Sequence, residues 1–318
     1  LQVMRKSPRP GLQQLCRNIK VDQKNITEDD IGFMIGPRIN AASRMDHPME
    51  AFNLLSTKDV TEGGKLAEYL DSLNSDRKVL VAGMTRKINE RLKKTNEIKD
   101  VIVIGNPDWK PALLGLAANS VMEEYKKPVF VWGRGDDGLI KGSCRSDGSI
   151  NLVEFMGSIK NLFINSGGHK FSGGFSLKEE DVHDLENTLV EAYENYPKEK
   201  VNEQIFVDAK LHIDEVNWKT YGLIEKMAPF GIGNEKPLFL FEDLLINEVK
   251  HFGKEKNHLQ LGFLNGNEKH VNCIAFFRTT DHFEKDIVEG NKVNLVRHLE
   301  KSTFRNFPEL RLRIVDIF

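Results

Sequence analysis

From about Thr61 to Glu97 one apolar position recurs every three or four residues: Leu66, Leu70, Leu73, Leu80, Met84, Ile88 and Leu92. No proline falls between Pro48 and Pro107. A stripe at this period defines an amphipathic α-helix, and one this long is a bundle member or a connector between domains. Arg77 fills the one slot of the series where an apolar residue is due. Beyond the stripe the period changes. Val101-Ile102-Val103-Ile104 is a short apolar run of the kind a buried strand uses. The pattern predicts helices over 112–125, 152–163 and 179–196, and strands over 128–132, 139–145 and 171–177. Strand and helix alternating in this way give a compact α/β domain with a partly parallel sheet.

On the N-terminal side, Thr27 and Asp30 read as the cap and third residue of a helix start, and 51–55 as a short helix. After Tyr196 the character shifts. Residues 197–203 are polar and aperiodic, a linker. An alternating strand is expected over 205–213 and a short helix over 216–227. Apolar runs follow at 238–241, 244–249, 258–263, 271–277, 293–299 and 310–317, with turn signals at Asn265-Gly266-Asn267 and Glu289-Gly290-Asn291. Five or six short strands in such a tail suit an all-β OB-fold barrel.

The 318 residues carry 45 Lys and Arg against 47 Asp and Glu, a net charge of −2, which excludes a polycation but not local basic patches. The length suits two or three domains. Cys16, Cys144 and Cys273 are far apart and form no C-x-x-C, which excludes a disulfide framework and a cysteine zinc site and favours a reducing, cytoplasmic setting. There is no apolar run long enough to span a membrane and no signal-peptide core in the first ten residues. Because the chain opens on Leu1, it is expected to be an internal fragment of something longer.

Three small-residue motifs carry the chemistry. In Ser166-Gly167-Gly168-His169-Lys170-Phe171-Ser172-Gly173-Gly174, glycine pairs flank a histidine and a lysine. Backbone N–H groups in such a turn make an anion nest, although a glycine turn also merely reverses a chain. Gly36-Pro37-Arg38-Ile39-Asn40-Ala41-Ala42-Ser43-Arg44 reads as a small-residue turn placing Arg38, Asn40 and Arg44 toward an oxyanion, or as two surface arginines in solvent. Lys141-Gly142-Ser143-Cys144-Arg145-Ser146 offers Arg145 and Ser146 at a strand end, with Cys144 a small buried residue.

In the barrel, Lys250, Lys254, Lys256, Arg297, Lys301, Arg305, Arg311 and Arg313 interleave with Phe252, Phe263, Phe276, Phe277, Phe304 and Phe307. Basic grooves with stacking aromatics hold single strands, although most of these phenylalanines are needed to fill a small barrel. No Walker A loop, G-x-S-x-G or H-E-x-x-H occurs, and Asp46-His47 and Asp281-His282 are isolated pairs. The sequence has several places to hold a polyanion and none that plainly breaks one.

The order of the Pro37-Arg38-Ile39-Asn40 motif, Leu73-Asn74-Ser75-Asp76-Arg77, Ser143-Cys144-Arg145-Ser146, Gly167-Gly168-His169 and Pro229-Phe230-Gly231-Ile232-Gly233-Asn234 resembles the RecJ-type exonucleases of the DHH phosphoesterase superfamily. The likeness runs through essentially the whole chain. It implies the end of a DHH catalytic domain over 1–60, a connector helix over 61–98, a DHH-associated substrate-binding domain over 99–196 and an OB-fold over 205–318. It implies that Arg38, Asn40, Arg44, Arg145, Ser146, Gly167, Gly168 and His169 face DNA phosphates, with His169 the one candidate for a place in the catalytic cleft. The family would hold Mn²⁺ or Mg²⁺ on ligands upstream of Leu1, so no metal ligand is expected here. The implied activity is 5′→3′ hydrolysis of single-stranded DNA in repair and recombination, this fragment binding DNA without cutting it. A single-strand-binding protein or a helicase would be its protein partners. The motif has Ser43 where the family usually has glycine. The competing readings are a non-catalytic single-strand-binding module and a relative acting on short oligonucleotides or cyclic dinucleotides. The barrel argues against the last.

Overall fold

Two helices open the chain, α1 (Gln2–Arg5) and α2 (Pro10–Asn18), the second starting on a proline whose missing N–H costs nothing there. The computed structural model describes residues 1–198, 204–253, 255–302 and 308–318. They divide into two compact units, Leu1–Glu203 and Gln204–Phe318. The expected cap forms: the Thr27 N–H donates to Asp30 Oδ2 at 2.8 Å and the Asp30 N–H to Thr27 Oγ1 at 3.3 Å. A wider π turn (Asp30–Ile35) then runs straight into α3 (Gly36–Met45). The segment read as a small-residue turn is therefore helix. Pro37 lies in its first turn, where proline is tolerated, and Ala41 and Ala42 are fully buried against its neighbours.

α4 (Met49–Ser56) leads to α5 (Val60–Leu92), a single helix of 33 residues capped by Asp59, whose side chain accepts the Glu62 N–H at 2.7 Å. Its apolar stripe serves two cores. Ala67 and Leu70 pack with Leu12, Leu15, Ile26 and Leu54, whereas Met84 and Ile88 pack with Leu113, Leu114, Val129 and Val131. Asn74 and Arg77 lie between the two. The crossing of α2 with α4 and α5 requires glycine. A Cβ on Gly11 would stand 1.7 Å from the Leu54 carbonyl oxygen, and one on Gly63 would stand 3.1 Å from Gly11 Cα.

The α/β part follows as β1 (Ile102–Gly105), α6 (Pro111–Tyr125), β2 (Val129–Arg134), β3 (Ile140–Arg145), α7 (Leu152–Ser158), β4 (Asn165–His169), β5 (Ser172–Leu177) and α8 (Leu185–Asn195). The sheet order is β1-β2-β3-β5-β4, with β1–β2 parallel and the other pairs antiparallel. Alternation along β2 separates the faces: Val129 and Val131 join the core with α5 and α6, and Phe130 joins that of Phe155 and Leu189 from α7 and α8. Two expected helices are shorter than their patterns. The first ends at Ser158 and passes into a 3₁₀ turn (Lys160–Leu162), and the second is split into a 3₁₀ turn (Glu179–His183) and α8.

The second unit contains β6 (Ala209–Lys210), α9 (Trp218–Glu225), β7 (Phe239–Leu245), β8 (Glu248–Phe252), β9 (His258–Leu264), β10 (His270–Ala275), β11 (Lys292–Ser302) and β12 (Glu309–Ile317). Its sheet runs β6-β7-β11-β12-β10-β9-β8, with β10–β12 parallel. Only Ile246 and Asn247 separate β7 from β8, so these are two halves of one bent run. With those halves counted as one strand, the order is that of a five-stranded OB-fold. Phe241, Leu259, Leu261, Phe263, Leu295 and Leu312 fill its core.

Two expectations change here. The strand predicted over 205–213 shrinks to Ala209–Lys210, because a reciprocal cap between His212 and Glu215 turns the chain into a 3₁₀ turn (Ile213–Glu215). Arg297 is no part of a basic groove. It lies in phase with Leu295 and Leu299 on β11 and is fully buried, its guanidinium 4.0 Å from the Phe241 ring centroid, with Nη1 donating to Cys273 Sγ at 2.6 Å. Burial pushes its pKa down to about 10. Phe263 is core, whereas Phe276 and Phe277 are exposed. Lys254, Phe304, Arg305 and Phe307, and most of the expected 197–203 linker, lie outside the described residues. Among the described residues no helix is long and apolar enough to cross a membrane.

Gly11→Ala places a methyl group where a carbonyl oxygen stands. The expected cost is about 1–3 kcal/mol or more. It is checked by comparing thermal melting of the variant with that of Gly64→Ala, whose added Cβ meets no neighbour within 4 Å.

Candidate functional site

The small-residue motifs meet on one face of the first unit. Arg145 and Ser143 point from β3 to the same face as Val129 and Val131, toward α6. There the absence of a side chain on Gly115 makes room: a Cβ would lie 2.8 Å from Arg145 Nη2 and 3.4 Å from Ser143 Oγ. Arg44, at the end of α3, reaches the same helix and donates from Nη1 to the Ala112 carbonyl at 2.7 Å. Arg77 comes from the middle of α5, its Nη2 donating to Asn74 Oδ1 at 2.9 Å. Asn74 is itself buried, and Arg77 Nε is buried with no hydrogen-bond partner.

The electrostatics show how close these groups are. Burial lowers the Arg77 pKa first, and the like charges of Arg44 and Arg38 lower it further. Burial lowers that of Arg145, opposed by Cys144 and assisted by Arg44. Among these four arginines only Arg38 has a carboxylate partner in the described structure, Asp71 at 2.8 Å. The other three guanidinium groups are held by carbonyl and amide oxygens. Planar forked donors of this kind have the geometry to pair with a phosphate.

The glycine-histidine motif is strand, not loop. β4 and β5 form a hairpin in which Gly167 opposes Gly174, Gly168 opposes Gly173 and His169 opposes Ser172. Only glycine fits at 168, where φ is +148° and a Cβ would stand 2.3 Å from the Ser172 oxygen. β4 is an edge strand, exposed along its length. Ser172 also opposes Arg145 on β3, so Arg145 and His169 occupy one row across the sheet, two strands and about 10 Å apart. Opposed residues point to one side, so His169 and Gly167 share the face of Arg145.

The remaining expected residues are placed differently. Arg38 is buried, tied to Asp71 and to the Met34 carbonyl at 2.7 Å, and fixes α3 against α5 rather than facing outward. Ser146 is buried, and its hydroxyl closes a turn by donating to the Ile150 carbonyl at 2.7 Å. Asn40 is exposed on α3. Cys144 faces the opposite core, where burial pushes its thiol up to about 12, so it is no nucleophile. Arg77 joins these groups although it is not among the expected contact residues; its sequence signals are its place in an otherwise apolar stripe and in the Leu73-Asn74-Ser75-Asp76-Arg77 motif.

The class defined is an α/β domain with an arginine-rich face, accompanied by an OB-fold. Comparison with known proteins narrows it. Residues 97–195 match the DHHA1 domain and residues 207–316 the RecJ OB domain. The chain is 28% identical over 321 aligned positions to the single-stranded-DNA-specific exonuclease RecJ of Bacillus subtilis, covering 99% of this chain and 40% of that protein. It is 33% identical over 230 positions to the Thermus thermophilus protein of that name, covering 72% of this chain and 33% of the relative. The crystal structure of RecJ from Thermus thermophilus with Mg²⁺ superposes with a TM-score of 0.79 at 25% identity, over 99% of this chain and 47% of that one. Its counterpart with Mn²⁺ gives 0.78 at 26% identity, over 99% and 45%. The chain belongs to the RecJ family and spans less than half the length of these relatives.

Relatives have thus been crystallised with divalent cations. Among the described residues of this chain, no group of three or more His, Cys, Asp or Glu side chains is placed to hold a metal ion. The groups that do converge are guanidinium ions, which repel a cation.

Gly168→Ala strains the left-handed backbone and drives a methyl group into Ser172, at an expected cost of about 1–3 kcal/mol. Faster amide exchange over 165–176, with α2 and α5 unaffected, is the expected readout.

Proposed function

We propose that this chain is the substrate-holding portion of a RecJ-type single-stranded-DNA-specific 5′→3′ exonuclease of DNA repair and recombination. On this reading residues 1–60 end a DHH catalytic domain, 61–98 connect, 99–196 grip the substrate and 205–318 bind the strand as an OB-fold. One observation carries it: Arg44 lies within electrostatic reach of both Arg77 and Arg145, the three have no carboxylate partner among the described residues, and Arg145 shares a sheet face with Gly167 and His169. The names of the relatives and the OB-fold support single-stranded DNA as the anion. The same reading takes a cytoplasmic place of work and a single-strand-binding protein or helicase as partner.

Mechanistically, the guanidinium groups receive the phosphodiester backbone through charge-assisted hydrogen bonds. Arg77, already held by Asn74, contributes the positive charge of its half-buried guanidinium to the phosphate contact. The bare edge of β4 lets the strand approach the backbone N–H groups, and His169 reaches a neighbouring phosphate. Arg38 acts through position, locking α3 so that Arg44 stays at α6. On this reading the chain's own work is to hold and orient DNA.

Mixing the chain with 5′-labelled single-stranded DNA and Mn²⁺ tests both halves of this reading. Binding that weakens steeply between low and moderate salt, with no labelled product released, is the expected result. Product release by contaminant-free chain, or binding indifferent to salt, overturns it. A second measurement isolates Arg77. Arg77→Met removes like-charge repulsion, so its melting temperature is expected to hold or rise while DNA affinity falls by about 1.5–3 kcal/mol. Unchanged affinity removes Arg77 from the site.

A further inference from the structure

The second unit carries a ring cluster that the phosphate contacts leave unused. Phe252 ends β8, and His258 stands opposite it at the start of β9. Phe276 and Phe277 follow β10. Ring centroids lie 5.1 Å apart for Phe252–His258, 6.4 Å for Phe252–Phe276, 5.6 Å for His258–Phe276 and 4.7 Å for His258–Phe277. The four rings are contiguous, yet they lie outside the core: Phe276 is 37% exposed and Phe277 74%.

Phe277 is also strained. Its φ is +57°, a region that bulky side chains rarely adopt. It is held there by its own N–H, which donates to His258 Nδ1 at 2.9 Å. A large apolar ring kept in water on a left-handed backbone gains nothing from packing, and strain of this kind accompanies ligand contacts. The border of the cluster is basic. The Arg311 guanidinium, paired with Glu300 at 3.4 Å, lies 5.4 Å from the Phe276 ring, and Arg278, next to Phe277, is anchored by Nη1 on the Val315 carbonyl at 2.7 Å. Flat rings rimmed by guanidinium groups complement a single strand, which offers π faces and phosphates together. The rings flank the β8–β9 connection, at strands and loops that OB-folds use for oligonucleotides.

We propose that Phe276 and Phe277, backed by His258 and Phe252, form a base-stacking subsite for single-stranded DNA, with Phe277 as the leading ring. This rests on the reading that the chain holds single-stranded DNA. It adds that part of the affinity comes from bases rather than phosphates.

The test uses the full chain and two strands of about 16 nucleotides. One is oligothymidylate; the other is an abasic strand of equal length and charge. Wild-type protein is expected to bind the base-bearing strand about 5- to 150-fold more tightly for each ring engaged. Phe277→Ala, at an exposed position, is expected to lose most of that preference while keeping its melting temperature and its affinity for the abasic strand. Phe276→Ala should lose part of it. Equal wild-type affinity for the two strands, with steep salt dependence retained, overturns the stacking subsite alone. A preference undiminished in both alanine variants also overturns it. Failure to bind either strand overturns this proposal together with the phosphate-holding reading.

Discussion

Positive charges confined together are the constraint around which the first unit is arranged. Burial and the charges of Arg44 and Arg38 lower the pKa of Arg77, and burial and Arg44 lower that of Arg145. Such a cluster persists because each guanidinium is held separately by a neutral oxygen: Met34 and Ala112 carbonyls, the Asn74 amide and the Cys144 carbonyl. These acceptors orient the forks without cancelling their charge. Asp71 cancels one, and that one, Arg38, is the member withdrawn from the surface. The division is chemical: a neutralised arginine becomes a rivet, and an unneutralised one remains able to bind.

The location of the cluster follows from packing. α5 buries its first turns in one apolar cluster and its last turns in another. Between these two clusters the helix carries polar side chains. Asn74 and Arg77 occupy that passage, and Arg44 and Arg145 approach it from α3 and β3. The second unit treats charge in the opposite way. Arg297 lies wholly inside, over the rings of Phe241 and Phe263 and bonded to Cys273, and serves the core.

Periodicity made most of the architecture legible. The Leu66–Leu92 stripe, the Val101–Ile104 run and the short strands of the tail all become the elements their spacing implies. Local composition misled where tertiary context decides. Gly36–Arg44 looks like a turn because it is rich in small residues, but those residues let a helix pack closely. The Gly167–Gly168 motif looks like a loop because it is glycine, yet its glycines face those of β5 across a hairpin. Arg38 and Arg297 read as surface groups because their burial depends on distant partners, Asp71 and Cys273, whereas Ser146 is withdrawn by a local turn to Ile150. Arg77 was visible as an interruption of the stripe and as the end of the Leu73–Arg77 motif, but its placement required knowing that two cores end on either side of it.

A helix of 33 residues rises about 50 Å end to end, far more than either core it serves. Arg77 is the eighteenth of those residues, close to the midpoint. A stiff rod that rocks swings its ends and barely displaces its fulcrum. Any rocking of α5 about its middle therefore displaces Arg77 less than it displaces either end. On the proposed reading, the phosphate contact on this helix lies where such rocking moves it least.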